Sequence, residues 1–211
     1  MSNILAIETT LGGCSVALSN GPSRVLEEPN HQTSRLAGMV ESVMTEAGLE
    51  YADLNGYAVT TGPGSFTGVR LGIAFIRGLA LAVARPIYAV SSLELLAYQA
   101  QQEAIEDNLL CVIDAHRKQV YAQKFSLEGN LPNALTEARA CGIDQLPAGD
   151  FTVTGNALHY FPEHPQQALS PNAKALADYA AQLPEERTEQ KPAPLYLRAP
   201  DAKPQKPLLA Q

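Results

Sequence analysis

Two acidic residues close apolar runs. Glu8 follows Ile4-Leu5-Ala6-Ile7, and Asp114 follows Leu109 to Ile113. A carboxylate at the end of a strand can contact a metal ion or a substrate, and it can equally cap the turn that follows by accepting a backbone N–H. For Asp114 the residues alone leave both readings open. The third feature is Gly62-Pro63-Gly64-Ser65, a turn that opens directly onto a helical run as far as Ala82. A strand, a glycine turn and a helix start aim free amides and a positive dipole end at an anion. Glu8, Thr9, Gly62, Gly64, Ser65 and Asp114 are the candidate anion or nucleotide contacts. The loop departs from the phosphate-binding pattern, because Val69 and Arg70 follow Gly68 where Lys and then Ser or Thr are required. Nor is it a dinucleotide fingerprint. The alternative is a tight connection that lets the helix pack close to a sheet.

The remaining reactive residues point away from catalysis. The histidines are His31, His116, His159 and His164. No two are spaced to share one helical face, so no metal site is expected. Cys14, Cys111 and Cys141 lie far apart without a C-x-x-C pair and read as buried thiols. There is no G-x-S-x-G elbow and no cysteine beside a histidine at a helix start. No cofactor is expected. The chain of 211 residues carries a net charge of −7, which argues against strong direct binding of a nucleic-acid backbone. An acidic subunit whose partner holds the nucleic acid remains open. The start, Met1-Ser2-Asn3, has no basic head, and the longest apolar stretch contains Arg70 and Arg77. The expectation is a cytoplasmic protein that meets no membrane.

The elements that must carry these residues read as α/β. Ile4 to Ile7 suits a strand covered on both faces. Cys14 to Ser19 alternates, Asn20-Gly21 is a two-residue hairpin signal, and a third strand follows over Arg24 to Leu26. Leu36, Met39, Val40, Val43, Met44 and Ala47 recur at helical spacing from Ser34 until Gly48, with His31 near the start. Tyr57 to Val59 is the strand before the glycine turn. The helix from Thr67 to Ala84, capped by Ser65 or Thr67, has no continuous polar stripe and is expected to be buried all round. Ile87 to Val90 is a strand, and Ser91 to Glu94 reads as a capping box. A polar stretch over 101–108 divides a unit at 1–105 from a smaller one at 106–211. The second unit holds strands over Leu109 to Ile113, Val120 to Phe125 and Phe151 to Val153. A helix through Ala173, Leu176, Ala177, Ala180 and Leu183 follows, capped by Ser170-Pro171. Leu195 to Arg198 is a last short strand, followed by a mobile Pro/Lys tail.

Taken together, Ile4-Leu5-Ala6-Ile7-Glu8-Thr9-Thr10, Cys14 to Leu18, the glycine segment, Asp114-Ala115-His116-Arg117-Lys118-Gln119-Val120-Tyr121 and Pro194-Leu195-Tyr196-Leu197-Arg198 resemble the TsaB (YeaZ) family in the expected order. Glu8 stands where the family pattern has Asp, and His116 replaces the first basic residue of D-A-R-R. The resemblance implies a two-lobed actin/sugar-kinase-like (ASKHA) α/β fold, with mixed sheets flanked by helices and a reduced second lobe. It also implies a role in making threonylcarbamoyladenosine at position 37 of tRNAs that read codons starting with A. The partners so implied are the catalytic paralogue TsaD and the ATPase TsaE, with TsaC supplying threonylcarbamoyl-AMP. The metal-binding H-x-x-x-H pair of TsaD-like enzymes is absent from this sequence, which favours a non-catalytic subunit. A nucleotide-dependent ASKHA enzyme is the alternative, and a metallopeptidase is disfavoured.

Within that reading, the two N-terminal helices are expected to meet the partner. The surface would comprise Leu36, Met39, Val40, Val43 and Met44 from the first helix. The second helix would add Val69, Gly72, Ile73, Ile76 and Gly78. Two helices from each of two related lobes would form a four-helix bundle, and the same surface would form a homodimer when the partner is absent. Arg70 and Arg77 share a face of the second helix; they either pair with acids across an interface or edge a buried helix. The alternative for both stripes is that they cover their own sheet.

Overall fold

The computed structural model describes residues 2–27, 31–105, 108–146 and 149–198. The first sheet has the order β3-β2-β1-β4-β5, from strands β1 (Ile4–Glu8), β2 (Cys14–Leu18), β3 (Ser23–Leu26), β4 (Gly56–Thr60) and β5 (Ile87–Val90). β1 is buried on both faces, as its unbroken apolar run requires. It pairs antiparallel with β2, placing Glu8 opposite Ser15, and parallel with β4, placing Ile7 opposite Val59.

The second sheet has the order β11-β10-β6-β7-β8, with β9 also on β7. Its strands are β6 (Leu109–Asp114), β7 (Gln119–Ser126), β8 (Asn133–Ala134), β9 (Arg139–Gly142), β10 (Thr152–Gly155) and β11 (Gln166–Gln167). Here too a hairpin is extended on its first strand by two parallel strands: β7-β6-β10-β11 repeats β2-β1-β4-β5. The second copy is shorter and carries its own additions, giving the two-lobed actin/sugar-kinase-like architecture.

Four helices finish the layers: α1 (Gln32–Ala47), α2 (Phe66–Ala82), α3 (Ser92–Gln102) and α4 (Ala173–Ala180). α1 and α2 cover one face of the first sheet, where Leu36, Val40, Val43, Val69, Ile73 and Ile76 pack with Leu5, Ile7, Val16 and Val59. α4 covers the opposite face, setting Leu176, Ala177 and Tyr179 against Ala6, Ala17 and Ala58. α3 lies on the second sheet through Leu93, Leu96 and Ala97. The two inner helices meet at Tyr98 and Tyr179, whose ring centres are 4.6 Å apart. α3, which follows the strands of the first sheet, thus lies on the second, and α4, which follows the strands of the second, lies on the first.

Several local expectations change. The β2–β3 turn is not a two-residue Asn20-Gly21 loop. Ser19 and Asn20 are its central residues, only Asn20 is left-handed (φ 55°), and Gly21 N–H closes the turn on Leu18 O. α2 is not buried all round, because one sheet seals only its inner face. Phe66, Arg70, Ala74, Arg77, Gly78 and Leu81 are exposed. At α3, Ser91 accepts from Glu94 N–H as a cap, but the Glu94 carboxylate is held by Tyr179 and Arg187, both at 2.8 Å or less, and so is turned away from the reciprocal bond of a capping box. α4 is capped by Asn172 instead of Ser170-Pro171; its side chain accepts from Ala175 N–H at 2.9 Å. Residues 195–198 form no strand, since the backbone bond from Leu195 N–H to Thr61 O is not continued into a ladder. The Pro/Lys tail lies outside the described residues.

The α2 glycines separate into two kinds. A Cβ on Gly68 would overlap the Thr9 carbonyl oxygen, whereas nothing lies within 4 Å of the same position on Gly78. Gly68→Ala should therefore destabilise the chain by about 1–3 kcal/mol through overpacking. Gly78→Ala should stabilise it by up to about 1 kcal/mol by restoring helix propensity. Urea unfolding of the two variants should show these opposite signs.

Candidate functional site

Where β1 ends, the chain turns into Thr9 and Thr10, both fully buried. Thr10 donates its N–H (2.6 Å) and its hydroxyl to Glu8 Oε1, and Ser92 Oγ donates to the Thr10 hydroxyl at 3.0 Å. Thr9 donates its hydroxyl to Gly68 O at 2.7 Å, and Ser65 N–H donates to Thr10 O at 2.7 Å. The glycine segment lies so close that a Cβ on Gly64 would strike Thr10 O, and one on Gly72 would come within 2.6 Å of Thr9 Oγ1. This contact explains Gly64, Gly68 and Gly72 without a ligand. Two amides of the segment are also taken, Ser65 N–H by Thr10 O and Gly68 N–H by Ser65 Oγ as the helix cap at 3.3 Å.

Glu8 is consequently turned inward. Burial pushes its carboxyl up to about pKa 7, only partly offset by the hydrogen bonds from Thr10. Burial, together with Glu8, raises the Cys14 thiol to about 11, so it stays protonated at neutral pH. The thiols of Cys111 and Cys141 are also raised by burial, and all three cysteines are free.

Asp114 occupies the matching place at the end of β6. Its Oδ1 accepts from His116 N–H at 2.8 Å, the same two-residue reach that joins Glu8 to Thr10. Its own N–H is held by Asn156 Oδ1 at 2.8 Å. The turn-capping role of Asp114 is thus present. Its side chain also borders a cleft of about 450 Å³ between the lobes, lined by Thr10, Gly64, Ser65 and Phe66 on one side and by Tyr121 and Asn156 on the other. His116, Arg117 and Lys118 arch over the β6–β7 hairpin with three successive left-handed backbones (φ 61°, 55° and 59°), a conformation that costs each residue about 1–3 kcal/mol. Of the candidate anion contacts, the cleft brings together Gly64, Ser65 and Asp114. Thr9 and Gly62 are buried, and Glu8 faces the opposite side of β1, beside Cys14 and Ser15. Among the described residues, no group of three or more His, Cys, Asp or Glu side chains is arranged to hold a metal. His164 stacks on Phe151, His159 lies tilted against Tyr160, and His31 begins α1 without a side-chain cap.

The expected helix surface divides along the same lines as α2. Leu36, Val40, Val43, Met44, Val69, Gly72, Ile73 and Ile76 are buried in the lobe's own core, because they are the residues that face its sheet, and Met39 packs against them. A partner cannot touch them in the folded monomer. Gly78 is exposed. The accessible stripe on α2 is Phe66, Arg70, Ala74, Gly78 and Leu81, with Phe66 60% and Leu81 89% exposed. Its spacing of four, four, four and three was present in the sequence but masked by the heavier apolar stripe beside it. Tyr196, 55% exposed and stacked near Phe66, lies in the Pro194 to Arg198 motif, which gave no signal of that contact.

The fold and this closed strand-end place the chain in the actin/sugar-kinase-like class. A model of the family described as TsaD: tRNA N6-adenosine threonylcarbamoyltransferase matches residues 27–146. YeaZ from Pseudomonas aeruginosa is structurally similar, with a TM-score of 0.79 and 30% identity over 93% of this chain and all of that one. The tRNA threonylcarbamoyladenosine biosynthesis protein TsaB of Escherichia coli (strain K12) is 39% identical over 130 residues, 60% of this chain and 56% of that protein. An uncharacterized protein of Mycobacterium tuberculosis is 31% identical over 97% of this chain and 95% of its own length. The chain belongs to the TsaB (YeaZ) family and carries a TsaD-like domain. The matches span between 51% and 61% of the length of the curated TsaB relatives. No helix among the described residues is long and apolar enough to cross a membrane.

Glu8 gives this site a pH signature. The folded chain holds the Glu8 proton to about pH 7, and the unfolded chain releases it near 4.5. Between those values the folded state binds more protons, so stability falls as pH rises. The loss across that window should be about 3 kcal/mol, flattening above it. Urea midpoints from about pH 4 to about pH 8 should show this slope in the wild type and its disappearance in Glu8→Gln.

Proposed function

We propose that this chain is a non-catalytic cytoplasmic subunit required for threonylcarbamoyl transfer to adenosine 37 of tRNAs reading codons that start with A. It acts by dimerising with a TsaD-type catalytic paralogue and works with a TsaE-type ATPase. The names borne by the TsaB relatives support the pathway. The observation that carries the mode of action is the exposed stripe on α2. Phe66 and Leu81 are far more exposed than large apolar residues of a covering helix need be, and Ala74 and Gly78 between them let a second helix come near. The outward sides of α1 and α2, instead of their core-facing stripes, form the docking face. In the absence of the paralogue the same face pairs two copies of this chain.

The second reading is a nucleotide-dependent enzyme working in the inter-lobe cleft, favoured by Ser65 and Asp114 on its walls. Against it stands the internal use of the Ser65 and Gly68 amides, which a phosphate would need.

Reconstitution of the modification with each subunit omitted in turn tests the proposal; product should disappear without this chain. Leu81→Glu should weaken pairing with the TsaD-type protein about tenfold or more and leave the circular dichroism unchanged. The isolated chain should not bind ATP in the micromolar range. Micromolar binding abolished by Asp114→Ala would transfer the assignment to the enzyme reading.

A further inference from the structure

Residues 188–198 run as a strap over both lobes. Glu189 N–H binds Ile87 O at 2.8 Å, Leu195 N–H binds Thr61 O at 2.8 Å, and Arg198 Nη1 donates to Ala115 O at 3.2 Å. Between the last two anchors the strap sets Tyr196 over the start of α2. There Arg70 Nε donates to the Tyr196 hydroxyl at 2.9 Å, and the guanidinium carbon lies 3.7 Å from the centre of the Phe66 ring and 5.8 Å from that of Tyr196. The two rings are stacked, 6.3 Å apart and 29° from parallel.

All three side chains are exposed, so burial does not explain the cluster. An exposed arginine ordinarily loses rotamer freedom when it pairs. Here that freedom is already spent on the two rings. Nε is engaged, the two terminal amino groups have no acidic partner among the described residues, and a guanidinium presents such donors as a planar fork matched to a carboxylate. Phe66 and Arg70 also begin the stripe that ends at Leu81.

We infer that the Phe66–Arg70–Tyr196 clamp is a preformed receptor for an aspartate or glutamate on the docking helix of the protein partner. The inference rests on the partner reading above and adds the C-terminal strap to the contact surface. Charge favours this occupant: Arg70 and Arg77 lie along one face of α2 in a chain of net charge −7, which suits an acidic side chain better than an RNA backbone.

The test is titration calorimetry of the full chain with a purified TsaD-type partner at low and high salt. Arg70→Gln, Arg70→Lys and Tyr196→Ala should each weaken binding about tenfold. Arg70→Gln should also flatten the salt dependence, and the melting temperature of the chain alone should be unmoved by it, which separates recognition from a structural role. If Leu81→Glu weakens binding but the clamp variants bind as the wild type does, the clamp inference fails and the partner reading stands. If Leu81→Glu also binds normally, the partner reading fails and takes the inference with it. Two further results overturn the inference: loss of a homodimer in Arg70→Gln with normal partner affinity assigns the clamp to a second copy, and loss of tRNA mobility shift with normal partner affinity assigns it to RNA.

Discussion

The close seating of Thr9 and Thr10 against the glycine segment governs the rest of the molecule. Thr9 holds the first turn of α2 through Gly68 O, Thr10 holds Ser65 N–H, and Ser92 ties the same threonine to the start of α3. One strand end thereby fixes the directions of two helices. The contact is possible only because three positions along the segment have no side chain. It also decides what the site cannot readily do. The Ser65 amide is taken by Thr10 O and the Gly68 amide by the Ser65 hydroxyl, and the Glu8 carboxyl is drawn into the interior with its charge disfavoured.

The two lobes use one plan for different ends. In each, an acid closes the first strand of a hairpin and accepts the N–H two residues later. In the first lobe the acid is buried on the α4 side of β1, beside Cys14 and Ser15. In the second it stays at the cleft, under a left-handed turn bearing His116, Arg117 and Lys118. The strand pattern is the same in both lobes, while the surroundings of the two acids differ.

Most elements were legible in the sequence because their signals were local. The buried run of β1, the helical spacing that ends at Gly48 (φ 64°) and the Ser65 cap all act within a few residues. The glycine segment announced a close approach, and Thr9 and Thr10 supply it. What was not legible depended on distance along the chain. The periodicity of α1 and α2 revealed apolar faces but not which of two surfaces each would meet, and the stronger stripes proved to be core. The Phe66–Tyr196 stack joins residues that no spacing rule connects. Residues 195–198 have a strand-like composition, but no neighbouring edge takes them into a ladder.

The exchange of inner helices between the sheets has a consequence during synthesis. β1, β2 and β4 emerge from the ribosome early, but the face bearing Ala6, Ala17 and Ala58 is covered by α4, which follows more than a hundred residues later. Until then a nearly complete sheet presents an uncovered apolar face to the cell, the condition under which chains aggregate or engage chaperones. The last wall of the first sheet is thus synthesised only after the strands of the second lobe.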